Sequence, residues 1–137
     1  MIEIAAQAPP EVAARLGEVL EFACAQLAVE RATLGLLVVG PERMAEINGA
    51  YRDLPVATDV LAFPVDGPEL ADGWPDEGPA PELGDIVICP EAAEEPLETL
   101  AVHGLLHLLG YDHETDAGEM LRVQDDLIDR FAHREAA

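Results

Sequence analysis

Apolar residues along this chain follow a helical period in some stretches and form short continuous runs in others. From Glu11 to Ala28 they recur every three to four positions, which predicts an amphipathic helix packed on a sheet. Four other stretches have the length and composition of strands: residues 2–5, 32–39, 58–65 and 83–89. The mostly apolar run 32–39 is expected in the centre of the sheet, and 2–5, which two prolines follow, at an edge.

Three further helices are predicted from their starting signals. Proline suits the first turn of a helix because that position needs no backbone N–H, and Pro41 and Pro96 each precede a helical pattern. The helix that follows Pro96 is expected to end before Gly110, which can adopt the left-handed conformation on which helices commonly stop. Asp116 and Glu119 have the spacing of a capping box, which predicts a last helix.

The segment between the third and fourth strands, residues 64–83, is acidic and contains five prolines and three glycines. Its position predicts a long hairpin loop, in which Trp74 is the only obvious anchor. Loops of this length without structure of their own tend to be functional or disordered. Two interpretations stay open, a lid over a functional site and an unstructured insertion.

Composition indicates a folded, intracellular protein. A length of 137 residues predicts one domain over residues 1–137, and because half of the residues are hydrophobic the chain is not expected to be disordered. No apolar run reaches the length of a membrane span, and the first residues lack the features of a secretory signal, so we expect a cytoplasmic protein. Cys24 and Cys89 lie far apart in apolar segments, which favours buried free thiols over a disulfide.

The net charge complicates any assignment of a nucleic-acid substrate. Twenty-eight Asp and Glu stand against seven Arg and no Lys, which gives a formal net charge of −21. Such a field repels nucleic acid at long range and favours basic partners. The composition of the genome or a salty habitat would also produce an acidic surface, and charge does not determine the fold.

Three of the four histidines lie within LETLAVHGLLHLLGYDHE, residues 97–114. On a helix over 97–109, His103 and His107 stand one turn apart on the same face. A chain reversal after this helix would bring His113 back towards them. Three imidazole ligands with an open fourth position are typical of a catalytic zinc site, because structural sites close their shell with a fourth protein ligand.

The spacing H-x-x-x-H-x-x-G-x-x-H also matches the extended zinc motif of the metzincin proteases, with one exception. Those proteases have a glutamate after the first histidine, which serves as general base, whereas this chain has Gly104. A zinc metalloprotease is therefore an alternative interpretation that Gly104 argues against.

Three segments resemble the signature blocks of the YbeY family, and they occur in the family's order: NGAYRDLPVATDVLAFP, LGDIVIC and AVHGLLHLLGYDH. The resemblance implies a metal-dependent, single-strand-specific endoribonuclease that acts in ribosomal RNA processing, including maturation of the 16S rRNA 3′ end, and in ribosome quality control. It also implies an α+β fold, a small mixed sheet of about four strands with helices packed on it. The zincin-like metal helix would then lie across a cleft at the edge of the sheet.

The same resemblance implies roles for individual residues. The residues expected to hold one zinc ion are His103, His107 and His113. The residues expected to bind the substrate are Asn48, Arg52 and Asp59. Catalysis is assigned to Arg52 and His103, and contact with a partner to Asp85. The implied partners are single-stranded ribosomal RNA and proteins of the small ribosomal subunit, without a membrane or an organic cofactor.

This chain departs from the family pattern in three places. Ala62 stands where the family usually has serine, which removes a hydroxyl from the cleft. The segment between Cys89 and the metal helix is shorter than usual. Residues 53–57 lack the basic residues common in the family, which would weaken phosphate binding.

The mechanism implied for the site leaves two choices open. Arg52 would present a planar, permanently charged fork to the scissile phosphate. Either water or a ribose 2′-OH could attack, and Asp59, Asp112 or Glu114 could accept the proton, although Asp112 is expected to have a structural or ligand-orienting role. An alternative of a different class is a non-catalytic ribosome assembly factor that docks a basic ribosomal protein through its acidic surface.

Overall fold

In the computed structural model, which describes residues 2–67 and 77–136, four strands and four helices account for the regular structure apart from one short 3₁₀ turn at Pro90–Ala92. Their order along the chain is β1 (Ile2–Gln7), α1 (Pro10–Gln26), β2 (Ala32–Val38), α2 (Pro41–Arg52), β3 (Val60–Pro64), β4 (Glu82–Ile88), α3 (Leu97–Leu108) and α4 (Glu119–Ala136). Residues 68–76, which include Trp74, lie outside the described residues, so the choice between a lid and an unstructured insertion stays open.

The four strands form one mixed sheet in the order β1-β2-β4-β3. β1, β2 and β4 run parallel, whereas β3 pairs antiparallel with β4 and forms one edge. This arrangement confirms the predicted α+β fold with a small mixed sheet of four strands. β2 lies in the centre and β1 at the other edge, as predicted.

Helices cover both faces of the sheet. α1, α3 and α4 pack on one face around the larger core, which Ile86 and Ile88 of β4 enter. Successive side chains of a strand point to opposite faces, so Val87 enters a second core on the other face. There α2 contributes Met44 and Ile47. α1 confirms the predicted periodicity, since its buried residues share one helix face: Leu16, Val19, Leu20, Ala23 and Cys24.

The helix that carries two of the histidines, α3, has the largest number of buried residues among the described elements. Its buried residues lie on nearly every side: Leu100, Ala101, Val102, Gly104, Leu105, Leu106 and Leu108. It packs against α1, α4, β3 and β4, and His103 and His107 are half-buried on the side that remains.

Gly104 sets how closely α3 approaches the sheet. A Cβ atom at this position would lie 2.7 Å from Cγ2 of Ile86 in β4, which is closer than two carbon atoms can pack. The position therefore faces β4, and any side chain there would have to displace Ile86. The close packing of α3 on β4 therefore explains why a glycine occupies position 104, where the metzincin proteases have a glutamate.

The start of α4 differs from the predicted capping box. Helix α4 begins only at Glu119, because Gly118 has φ of 97° and cannot lie within a right-handed helix. Asp116 accepts hydrogen bonds from the backbone N–H groups of Gly118 and Met120. The carboxylate of Glu119 accepts from the N–H of Ala117 and not from that of Asp116. The two predicted residues therefore both cap the turn, but with different partners.

The predicted strand 58–65 is shorter in the structure, since β3 begins at Val60. The carboxylate of Asp59 accepts the backbone N–H of Val60, so the residues before the strand form a turn. No helix within the described ranges has the length and apolar composition needed to cross a bilayer.

Candidate metal centre

The imidazoles of His103, His107 and His113 form one compact cluster. Their possible ligand atoms all lie within 4.8 Å of one another, and the ring centroids are 4.8 to 5.3 Å apart. Each histidine is half-buried. Within the described residues, no cysteine or carboxylate joins this group. The cluster could therefore hold one metal ion with three protein ligands.

The chain reversal after α3 brings the third imidazole to the other two. Gly110 has φ of 100°, the left-handed conformation that glycine adopts at no steric cost. The N–H groups of Gly110 and Tyr111 donate to the carbonyls of His107 and Leu106, which closes the end of the helix. His113 follows immediately on the returning segment.

A backbone contact determines which nitrogen of His107 is available to a metal. Its Nδ1 lies 3.1 Å from the carbonyl oxygen of Tyr111. A carbonyl oxygen can only accept, so Nδ1 carries the hydrogen and donates it. Nε2 then keeps its lone pair, and this is the tautomer that a metal ligand requires.

Nδ1 of His103 also has a hydrogen-bond partner, and the sequence analysis did not identify this residue. Nδ1 of His103 lies 2.8 Å from Oε1 of Gln124 in α4, and the side chain of Gln124 is only 8% exposed. The signal for Gln124 was available in the sequence. It is the one polar residue on the apolar face of α4, whose buried positions are Met120, Gln124, Leu127 and Phe131.

The surroundings of His107 favour its neutral imidazole form. Burial lowers the pKa of His107 below its ordinary value of 6.5, and the neighbouring His103 and His113 lower it further. The hydrogen bond to Tyr111 and the charge of Asp112 act in the opposite direction but are smaller causes. Neutral imidazole is the form that binds metal, so the lowered pKa keeps His107 in the form that a cation requires.

The cluster lies in a cleft of about 740 Å³ that runs along the edge of the sheet. β3 forms its floor, and α3 with the returning segment supplies the histidines on one side. Tyr51 and Arg52, at the end of α2, bound the other side. The edge strand thus allows residues from helices on opposite faces of the sheet to meet in one cleft.

Arg52 is the arginine whose guanidinium has no acidic or carbonyl partner among the described residues. The other arginines each have one: Arg15, Arg31, Arg43, Arg122, Arg130 and Arg134. Arg52 is exposed and lines the cleft. It is therefore available to an anionic ligand beside the histidines.

Asp59 and Asn48, two residues predicted to bind the substrate, differ in their position relative to the cleft. Asp59 lines the cleft, where its carboxylate accepts from Val60 N–H at 2.8 Å. Asn48 is only 3% exposed and is not part of the cleft lining. Its side chain donates to the carbonyl of Val56 at 3.0 Å, so it holds the turn that follows Arg52, and its role in binding the substrate stays a prediction.

Asp85 is not close to the cluster. It is exposed on β4, on the face of the sheet that α2 covers, and its carboxylate lies over Gly35 of β2. This residue does not line the cleft, and its role in binding a partner stays a prediction.

The turn that contains the third histidine is held by Asp112, whose carboxylate accepts the backbone N–H of Glu114 at 3.0 Å. Both residues line the cleft.

The two cysteine thiols do not line the cleft. Cys24 and Cys89 are buried and free, as predicted, and burial, with a smaller effect of Glu21, raises the pKa of Cys24 to about 12.

Comparison with known proteins gives consistent matches over most of the chain. The family model described as Endoribonuclease YbeY matches residues 3–132. The endoribonuclease YbeY of Micrococcus luteus is 42% identical over 120 aligned positions, which cover 78% of this chain and 75% of the relative. That of Mycobacterium tuberculosis is 38% identical over 148 positions, which cover 95% and 82%. A solution structure of a Thermotoga maritima protein aligns with a TM-score of 0.55 and 26% identity over 94% of this chain and 87% of that protein.

Proposed function

Because this chain belongs to the YbeY family of endoribonucleases and is an RNA-cleaving hydrolase, we propose that it cuts single-stranded RNA with one zinc ion held by His103, His107 and His113. The observation that carries this proposal is the convergence of three imidazoles beside an arginine without an acidic partner in the described chain. The RNA substrate follows from the family. The identity of the metal, its three histidine ligands and the preference for single-stranded RNA are parts of the proposal.

The donor set fits zinc. Three imidazoles without a fourth ligand from the described residues match the pattern of catalytic sites, and the Tyr111 carbonyl leaves Nε2 of His107 free to coordinate. What a bound zinc ion supplies here is Lewis acidity towards a phosphoryl oxygen.

Arg52 binds and orients the scissile phosphate in this proposal. A guanidinium presents two parallel N–H donors to a phosphate, and its charge stabilises the additional negative charge that develops during cleavage. Asn48 contributes indirectly, because its hydrogen bond to Val56 fixes the turn after Arg52. Asp59 and Glu114 line the cleft and are the carboxylates we propose as acceptors of the proton from the attacking hydroxyl or water.

A protease function is disfavoured by the packing of α3. The general base of the metzincin proteases would stand at position 104, and a glutamate there would have to displace the side chain of Ile86. Zinc-dependent hydrolysis of casein without cleavage of RNA would contradict this assignment.

Two variants separate metal binding from phosphate binding. His103→Ala or His107→Ala is expected to lose both zinc and RNA cleavage, whereas Arg52→Ala should keep zinc and lose cleavage. Metal content by mass spectrometry and a cleavage assay on single-stranded RNA measure the two properties. Arg43→Ala is the matched control, because Arg43 lies on the same helix and pairs with Glu46 outside the cleft. Zinc retained in a His103/His107 double variant would contradict the site.

Lysine at position 52 tests the geometry of the contact. Arg52→Lys preserves the charge but not the planar fork, so we expect cleavage to recover only partly relative to Arg52→Ala. Full recovery would show that charge alone is sufficient and that bidentate recognition is not used.

The cellular role we propose is processing of ribosomal RNA, including the 16S rRNA 3′ end, in the cytoplasm. The family membership and the buried free thiols, which suit a reducing compartment, support it. The net charge of −21 also favours docking on basic proteins of the small ribosomal subunit. Binding of the purified protein to small subunits, and processing of their precursor RNA, would test this role.

A further inference from the structure

The cleft contains an exposed aromatic ring that catalysis by the histidines and Arg52 does not use. Tyr51, in the last turn of α2, is 72% exposed, the highest value among the large apolar side chains that the structure describes. Its ring rests on Phe63 of β3, with centroids 4.9 Å apart and planes inclined by 55°. Phe63 in turn packs against the smaller core. The ring of Tyr51 thus packs against Phe63, while most of the side chain is exposed to solvent.

This ring lies beside the one arginine that has no acidic or carbonyl partner in the described part of the chain. Tyr51 and Arg52 are consecutive residues, and both line the cleft that holds the three imidazoles. An exposed aromatic ring next to an available guanidinium is the combination used to bind single-stranded nucleic acid, in which bases stack on the ring and the cation contacts the backbone.

The charge of the chain favours a source of RNA affinity that does not depend on basic residues. Proteins that bind nucleic acid usually gain most of their affinity from many contacts between basic residues and phosphates. This chain has seven basic residues against twenty-eight acidic ones, and the arginines other than Arg52 are engaged elsewhere. A nucleobase stacked on an aromatic ring adds affinity without any positive charge.

We propose that Tyr51, supported by Phe63, is a stacking site for one unpaired nucleobase of the RNA, next to the phosphate that Arg52 binds. The inference rests on the proposed cleavage of single-stranded RNA and adds the residue that recognises an unpaired base. It also supplies a physical basis for the strand preference, because bases within a duplex are stacked on their neighbours and their faces are not accessible to a tyrosine.

Binding is best measured with a chelator present, so that no cleavage occurs and affinity is separated from catalysis. The probe is a short single-stranded RNA that carries 2-aminopurine at one position, and this position is varied along the RNA. Fluorescence anisotropy measures the affinity, and quenching of the 2-aminopurine reports which base is stacked. Tyr51→Ala and Tyr51→Leu should each weaken binding by roughly 5- to 150-fold and abolish quenching at one position, since each loses a stacked base. Tyr51→Phe should bind within about twofold of the wild type, because it keeps the ring.

Leu54 provides the matched control. It is exposed on the turn that follows Arg52 but does not line the cleft. Leu54→Ala should leave RNA affinity unchanged. If this exposed surface instead binds a protein through its apolar character, Tyr51→Leu should retain binding to small ribosomal subunits and RNA affinity should be the same in all variants.

The outcomes distinguish this inference from the function on which it rests. Equal RNA affinity of the wild type and Tyr51→Ala, with single-stranded RNA still cleaved, would overturn the stacking site and leave the proposed function intact. If the metal-loaded wild type cut only duplex RNA, both would fail. A loss of affinity in Tyr51→Leu that Tyr51→Phe does not share would support stacking.

Discussion

The contact between Gln124 and His103 connects α4 to the candidate metal centre through a single hydrogen bond. A glutamine oxygen that accepts from Nδ1 keeps the hydrogen on that nitrogen and leaves Nε2 for the metal. The same hydrogen bond also fixes the orientation of the His103 ring. Gln124 would therefore position His103 as a ligand of a metal in the candidate centre.

Replacing Gln124 should weaken metal binding without removing a ligand. Gln124→Leu fits an apolar environment but provides no acceptor, so zinc affinity should fall by about 10- to 100-fold. Gln124→Glu keeps an acceptor and should retain most of the affinity. Competition with a chromophoric chelator measures the affinity, and nitrogen NMR of the imidazole reports the tautomer of His103. Unchanged affinity and tautomer in Gln124→Leu would show that the hydrogen bond has no role in positioning.

His107 makes the stability of the metal-free protein depend on pH. Its pKa is lowered in the folded state, chiefly by burial, whereas the unfolded chain takes up a proton near pH 6.5. As the pH falls below that value, the unfolded state binds a proton that the folded state does not, so the free energy of unfolding decreases.

The corresponding measurement compares urea unfolding of metal-free wild type and His107→Ala at about pH 7.5 and about pH 5.5. The wild type should lose more stability than His107→Ala over this interval. An equal or larger loss in His107→Ala would contradict the lowered pKa.

At the scale of the elements, the approach of α3 to β4 depends on the absence of a side chain at position 104. Gly104→Ala should lower stability, because overpacking against Ile86 costs about 1–3 kcal/mol and exceeds the gain of about 1 kcal/mol in helix propensity. We expect a net loss of up to about 2 kcal/mol in chemical denaturation, together with weaker metal binding because His103 is the adjacent residue.

Gly17 is the matched control for this substitution. It lies within α1, and a Cβ atom there would meet nothing within 4 Å. Gly17→Ala should therefore raise stability by up to about 1 kcal/mol from helix propensity alone. Stabilisation of both variants would show that α3 can shift without loss and that Gly104 is not required for packing.

Local features of the site could be predicted from the sequence. The convergence of His103, His107 and His113 follows from helical spacing and one glycine turn, all within a short stretch. The periodicity of α1 likewise gave its buried face. The displaced start of α4 escaped prediction because a capping box is defined by two residue types, whereas the left-handed conformation of Gly118 decided where the helix begins.

Features that depend on the arrangement of the sheet could not be predicted from local pattern. Arg52 meets the histidines because β3 is an edge strand between helices on opposite faces, and the strand order β1-β2-β4-β3 is not encoded in any single segment. The burial of Asn48, one turn before Arg52, has the same origin, since its partner Val56 lies on the turn that leads to β3.

For the whole molecule, the distribution of charge determines how RNA can approach. The net charge is −21, and the described arginines outside the cleft are held in contacts with acidic or carbonyl groups. Long-range electrostatics therefore oppose association, while attraction is confined to the cleft with Arg52 and the three histidines that could hold a cation. Salt acts on these two contributions in opposite directions, because it screens the repulsion and also weakens the phosphate contacts.

The affinity for single-stranded RNA should consequently depend only weakly on salt. One or two neutralised phosphates predict a slope of log K against log salt of about −0.7 to −1.4, and screening of the repulsion makes the slope shallower still. Binding measured with zinc-loaded protein and a non-cleavable RNA analogue should thus change by less than about tenfold between 50 and 200 mM salt. In Arg52→Ala the slope should approach zero or change sign, since the screened repulsion then dominates, whereas Arg43→Ala should keep the wild-type slope. A slope several times steeper would mean that many phosphates contact the protein, which the charge distribution around this cleft does not permit.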